Sequence, residues 1–324
     1  MTRIILRNCI RVVAPMVACA FAVAALGQAA DPSYPFLEKA YEAARQSDYE
    51  RAVAAFEQAV KLAPGRPSIH KDLAYTLLKI GESARARDHF AAAMSLDPTD
   101  AHVALEYAFL CYETKQEAAA RRIFLKYRAT DPTAAEAFEN IDRPLREGIA
   151  RWQEALGASP DNFSGHEELA RLAEQRDEIA LASEHYEKAW RLRPDRRDLL
   201  LDLGRVWQQQ DRADDANAAL LAASRGTEPR VAEHARELLG SRYPYVYEFE
   251  KALALDPANI GLRRELAFLD LQMNQGAQAE KQFVALIERD PDDLLVVTQL
   301  GLLKLPRGDT KGAMPLPQSR ACRR

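Results

Sequence analysis

The sequence predicts an all-α protein, a solenoid of tandem antiparallel helix pairs. Three observations carry that expectation. Prolines recur at a near-constant interval. A small residue followed four places on by a large one recurs in step with them. The composition is that of a helical chain, with 48% hydrophobic and 28% charged residues and only 14 Gly in 324. The unit is plainest from Pro67 to Asp100. Apolar residues three or four apart, Leu73 and Ala74 among them, make one helical stripe. Gly81 breaks that helix, Ala86, Phe90 and Ala93 make a second stripe, and Asp97-Pro98 stops it. Small residues at 74, 86 and 93 let two helices approach closely, and Phe90 fills the space between them.

The chain opens differently. Arg3, Arg7 and Arg11 form a basic region, Val12 to Leu26 an apolar run, and Gly27, Ala29 and Ala30 precede the first acid, Asp31. This pattern predicts a secretory signal peptide over residues 1–29, cleaved after Ala29, with cleavage after Gly27 the alternative that small residues also allow. The competing reading is an uncleaved segment anchored in an inner membrane, but a fifteen-residue run containing Pro15 falls short of the roughly 20 residues a span needs. A lipoprotein site at Cys19 would leave Ala20 to Leu26 on the mature chain and is disfavoured. Formal charge is −4, or −7 after cleavage, with both signs interleaved. That is no nucleic-acid footprint. Cys9 and Cys19 leave with the signal, Cys111 sits at a core-like position and Cys322 in the tail, so no structural disulfide is expected.

The helix pairs can be followed by Pro64, Pro98, Pro132, Pro160, Pro194, Pro229, Pro257 and Pro291, five of whose seven spacings are 34 or 35 residues. Independently, Ala52, Ala86, Ala120, Ala182, Ala216, Ala279 and Ala313 open the second helices, with Phe56, Phe90, Phe124, Tyr186, Leu220 and Phe283 four places on. Over roughly residues 33–312 this pattern resembles the tetratricopeptide repeat (TPR). The resemblance implies a right-handed superhelical solenoid of about seven to eight repeats and a role in holding other proteins.

Residues 30–132 then hold three regular TPR hairpins, 133–229 one shortened and two full hairpins, 230–312 a shortened and a full hairpin with a degenerate last repeat, and 313–324 an irregular tail. The two shortened units are each six residues under period and 97 residues apart, with echoes such as Leu169 and Leu266 or Gly204 and Gly301. Asp142-Arg143-Pro144 is expected to truncate the first helix of one, and Gly240-Ser241 with Pro244 that of the other. Pro315 and Pro317 deny the last hairpin a competent second helix.

No catalytic constellation is legible, and no cofactor is expected. His70 and His166 share a repeat position, as do His89 and His185, but no cysteine or carboxylate set completes a ligand shell, so they read as packing residues and no metal site is expected. Arg307-Gly308-Asp309 reads as an inter-helix turn. Trp152, Trp190 and Trp207 fall in phase with the core, and Tyr243, Tyr245, Tyr247 and Phe249 form a patch, some of which faces outward.

The resemblance places a binding groove on the first helix of each hairpin. Its positions here are Leu37, Tyr41, Lys71, Tyr75, Leu105, Phe109 and Tyr112, then Glu167, Arg171, Glu174, Arg205, Gln208 and Gln209, then Arg264, Phe268 and Leu271. The family's carboxylate clamp for acidic peptide tails is not matched. Lys71 is present, but Tyr75 stands for its Asn partner and Glu106 where a cation is required. The expected function is a non-enzymatic scaffold of the bacterial cell envelope, periplasmic or secreted. It would bind a peptide or protein and no nucleic acid, and touch a membrane only through an uncleaved N-terminal segment. The alternatives are a scaffold in exopolysaccharide synthesis or export and a regulatory subunit of an envelope enzyme.

Overall fold

Short polar side chains set where six of the helices begin. Asp48, Asp100, Asp131, Asn162, Asn259 and Asp293 each accept a hydrogen bond from the backbone N–H three residues on. Each thereby satisfies one of the donors a helix start leaves open. The computed structural model describes residues 31–305. The expected signal peptide, Cys9, Cys19, Cys322, Arg307-Gly308-Asp309, Ala313, Pro315 and Pro317 lie outside the described residues. Sixteen helices and no strand occur among the described residues, which fall in two compact units divided between Asp97 and Pro98.

The first unit contains α1 (Tyr34–Arg45), α2 (Tyr49–Leu62), α3 (Pro67–Lys79) and α4 (Ser83–Leu96). They pack as two antiparallel pairs, α1 with α2 and α3 with α4, and α2 also packs on α3. Ala52, Ala86, Phe56 and Phe90 are essentially inaccessible, so the small and large markers meet in the core.

In the second unit the pairs are α5 (Ala101–Glu113) with α6 (Glu117–Tyr127), α8 (Phe163–Gln175) with α9 (Ile179–Leu192), α10 (Asp198–Gln209) with α11 (Ala213–Ser224), and α14 (Ile260–Gln272) with α15 (Gly276–Ile287). Between the first two lies the single long α7 (Pro132–Ala158). Both α12 (Pro229–Leu239) and α13 (Val246–Leu255) pack on α11, and α16 (Leu294–Lys304) packs on α15. No helix of the described residues is long and apolar enough to cross a membrane.

The turns between paired helices share one device. Ser47, Gly81, Lys115, Asp177, Asp211 and Asn274 all take φ between 58° and 81°. Only one of them is glycine, so five side chains carry the cost of a left-handed turn.

The two shortened units differ, which corrects the expectation for the first. Asp142-Arg143-Pro144 does not end a helix: α7 is continuous through Pro144. Proline forfeits one backbone hydrogen bond there, and a charged tie offsets the loss. Asp142, 1% exposed, accepts from Arg121 Nε at 2.7 Å and Arg176 Nε at 3.0 Å, with Arg146 Nη1 at 3.3 Å. In the second unit the expected break is present. Gly240 ends α12 at φ 72°, a conformation that Arg143, its counterpart 97 residues earlier, would adopt only with strain. The Glu248 carboxylate then accepts from the Tyr245 N–H at 2.6 Å and starts α13.

Trp190 and Trp207 are buried at 4% exposure and Trp152 is half-buried. Tyr243, Tyr245 and Tyr247 are exposed while Phe249 is buried. Cys111 is a buried free thiol.

Candidate functional site

The first helix of each pair turns one face to its partner helix and the other outward. Four aromatic groove positions obey a common rule. Tyr41, Tyr75, Phe109 and Phe268 each lie edge-on to the phenylalanine fifteen residues later, Phe56, Phe90, Phe124 and Phe283, at centroid distances of 4.9 to 5.5 Å. These rings therefore close their own hairpins while keeping one edge toward the groove.

In the first unit, Tyr41 is 43% exposed, and its hydroxyl donates to Asp72. Burial and that carboxylate push the phenol up to about 12. Lys71 and Tyr75 on α3 are half-buried. Leu37 is corrected: at 7% exposure it lies on the packing stripe of α1 with Ala40 and Ala43 and does not line a groove. An apolar side chain gains by turning into the core at the position where the charged Lys71 stays half-exposed.

In the second unit, Leu105, Phe109 and Tyr112 share α5, with Leu105 packed on the core of that pair and Tyr112 48% exposed. On α14, Arg264 pairs with Asp293, and Phe268 packs on Phe283. The structure gathers Glu167, Arg171 and Arg205 with Glu174 and Gln209 in a single cavity of about 390 Å³. Sequence reasoning missed five further lining residues: Ala118, Arg122, Gln175, Tyr186 and Asp202. Arg122 and Tyr186 lie on second helices, outside the groove positions; no local pattern announces Arg122, and the small and large pattern assigns Tyr186 to the core. Asp202 sits one place from a groove position, and its spacing from Arg205 was the only available signal.

The cavity is stiffened by ion pairs. Arg205 donates to both oxygens of Glu174, at 2.5 and 2.8 Å, and to Asp202 at 2.8 Å. Tyr186 Oη donates to Glu174 at 3.1 Å, and Arg196 donates to Glu167 at 2.9 Å. Arg122 donates to Asp177 at 2.7 and 2.9 Å, and Asp177 also meets Arg121, which extends the wall into the Asp142 tie. Hydrogen bonding to Glu174 holds Arg205 firmly charged, and burial raises Asp202. Burial, then the nearby carboxylates, raises Tyr186. Among the described residues Arg171 pairs only with Glu168, and its side chain is half exposed. The lining carries three guanidinium groups and three carboxylates. Such a surface offers directed donors and acceptors to a polar backbone rather than a net field to one sign of charge.

The equivalent histidines form pairs. His70 Nε2 lies 3.0 Å from the Pro64 carbonyl oxygen, so it carries the hydrogen and donates. Its neutral Nδ1 is then an acceptor for His89 Nδ1–H at 3.1 Å. The same relay links Pro160, His166 and His185 at 2.7 and 2.8 Å. Burial and then the partner imidazole lower both second histidines, His185 to about 4. Among the described residues no three His, Cys, Asp or Glu side chains are grouped so as to hold a metal ion.

Tetratricopeptide-repeat family models match residues 37–101 in one case and residues 81–139 and 246–300 in another. No curated protein matches the chain in sequence. Among solved structures, the chain is similar to the MamA protein at 15% identity, covering 69% of this chain and 92% of that one, with a TM-score of 0.28. It is also similar to the P58(IPK) TPR domain at 12% identity, covering 87% and 90%, TM-score 0.32. Yeast Tom70 matches at 15% identity, covering 87% and 67%, TM-score 0.30. At these scores no property of those proteins transfers to this chain. Tetratricopeptide repeats typically serve as non-catalytic scaffolds for protein–protein interaction. The paired helices, the small and large markers in their cores and the family matches agree, and residues 37–139 and 246–300 of the chain are tetratricopeptide repeats.

Proposed function

We propose that this protein is an exported, non-enzymatic scaffold of a bacterial cell envelope, and that it holds a protein or peptide partner in the charged groove of its second unit. The observation that carries the reading is the cavity built on α8 and α10. There Arg205 and Glu174 lock each other in place while Arg171 keeps a half-exposed guanidinium toward the opening. A pre-formed surface of this kind loses little ordering entropy when a partner binds. Export rests on the basic and apolar pattern of Arg3 to Leu26 followed by small residues.

The test has two arms. Fractionation with N-terminal sequencing is expected to find the chain outside the cytoplasm, beginning at Ala30; a full-length cytoplasmic chain contradicts export. Affinity capture from envelope extracts is expected to enrich a defined set of proteins with the wild type and to lose them with Arg171→Glu, which exchanges the sign of a half-exposed groove charge. Identical recovery by both proteins, at unchanged helical circular dichroism, contradicts the groove assignment.

A further inference from the structure

The segment from Arg242 to Glu250 repeats one spacing twice, a tyrosine three residues before a glutamate. Tyr245 and Glu248, three residues apart, hold the guanidinium of Arg242. It lies 4.7 Å from the Tyr245 ring centroid and donates to the two Glu248 oxygens at 2.6 and 3.0 Å. Tyr247 and Glu250, again three residues apart, present a second ring and a second carboxylate. No Lys, Arg or His among the described residues makes an ion pair with Glu250.

The second arrangement opens onto a surface cavity. Tyr245 and Tyr247 are exposed, with rings parallel to within 13° and centroids 5.9 Å apart. Together with Pro244, Glu250, Leu269 and Met273 they line about 570 Å³. Met273 is half exposed, so the site is an accessible apolar surface with one carboxylate on its wall. Asp270, next to Leu269 on α14, is buried, and its Oδ2 has no hydrogen-bond partner among the described residues. Burial and then the charge of Glu250 raise its pKa, which favours its neutral form and leaves Glu250 as the carboxylate lining the pocket. An anionic ligand would be repelled. A planar guanidinium both stacks on an aromatic face and pairs with a carboxylate, as Arg242 already does beside it.

We propose that this pocket docks an arginine-bearing basic segment of a partner protein, with the guanidinium over Tyr247 and paired to Glu250. The surface belongs to α13 and α14 and shares no lining residue with the groove of α8 and α10. The proposal therefore stands independently of that groove's assignment.

Titration of the full purified chain with acetyl-Leu-Pro-Arg-Pro-Leu-amide, read by NMR of labelled tyrosine rings, tests it. Saturable binding that shifts the Tyr247 resonance is expected. The citrulline peptide, equal in shape but uncharged, is expected to bind about tenfold more weakly, the size of one charge-assisted contact. Glu250→Gln and Tyr247→Ala are each expected to weaken the arginine peptide about fivefold, as befits a single exposed ion or ring contact. Both positions are exposed, and unchanged circular dichroism would show that the variants fold. Equal binding of the arginine and citrulline peptides would overturn the proposal, as would unchanged binding by both variants or no saturation at millimolar peptide. Displacement of the arginine peptide by a synthetic peptide of residues 306–324 that binds at least as tightly would also overturn it, by assigning the pocket to this chain's own basic tail.

Discussion

Asp142→Ala is the most informative single change, because Asp142 is the one carboxylate that holds α6, α7 and the end of α8 together. Its side chain is 2% exposed, and those of Arg121 and Arg176 are 7% and 18% exposed, so three charges are paired largely away from water. Removing one partner of a buried pair costs about 3–5 kcal/mol, since the remaining charges stay buried without compensation. Arg121 keeps Asp177 at 3.3 Å and Arg176 keeps Glu178, which places the expected loss near the lower end, about 3 kcal/mol. Arg146 is half exposed and adds little. A urea titration followed by circular dichroism should show that loss, and Asp142→Leu combined with Arg121→Met should recover at least half of it by replacing the pair with apolar contacts.

The acid limb gives a second readout. Burial alone would raise Asp142, but hydrogen bonds from Arg176 and Arg121 outweigh it and hold the carboxyl below its usual range. Its contribution is therefore present above about pH 4 and is lost as pH falls through the lower folded value, and the variant should lack that step. A loss under about 1 kcal/mol, with an unchanged acid limb, would refute the assignment of a buried anchoring charge.

Other outcomes follow from the same structure. Pro144→Ala should stabilise the second unit by about 1–2 kcal/mol, because it restores a helical hydrogen bond in a continuous α7 at some gain in unfolded-chain entropy; a helix that truly ended at Asp142 would show no gain. With the folded pKa of His89 and His185 lowered, that of His185 to about 4, protonation favours the unfolded chain, so their contribution is complete above about pH 6.5 and fades toward pH 4. In His89→Asn/His185→Asn the drop in stability between pH 7 and pH 5 should shrink, and an unchanged drop would remove the relay from the account. Ala86 is inaccessible between α3 and α4, so Ala86→Leu should cost about 1–3 kcal/mol by overpacking; an unchanged denaturation midpoint would count against the register.

What was legible in the sequence was whatever repeated. Ala86 and Phe90 announce their hairpin because a small and a large residue four apart recur in the full-length units, and the same pattern placed Ala182 with Tyr186 and Ala279 with Phe283 in their cores. Gly81 marked its turn, but Ser47, Lys115, Asp177, Asp211 and Asn274 adopt the same left-handed backbone without a residue type that demands it. The continuity of α7 was hidden because Pro144 is a local signal, whereas the partners that overrule it, Arg121 and Arg176, stand 21 and 34 residues from Asp142. The groove shows the same division. Arg171 and Arg205 could be placed by repeat position. Leu37 could not, since burial of a leucine follows its chemistry rather than the position's usual role, and Arg122 entered the cavity from a helix outside the groove rule.

The account depends most on a partner being held by the α8 and α10 groove. A photo-crosslinking phenylalanine at position 171, compared with one at position 191 on α9, where the Arg191 side chain is 72% exposed, tests this directly. After irradiation of envelope extracts, the groove position should yield discrete higher-mass adducts that the α9 position does not. Adducts of equal yield at both positions, or none at position 171, would contradict it.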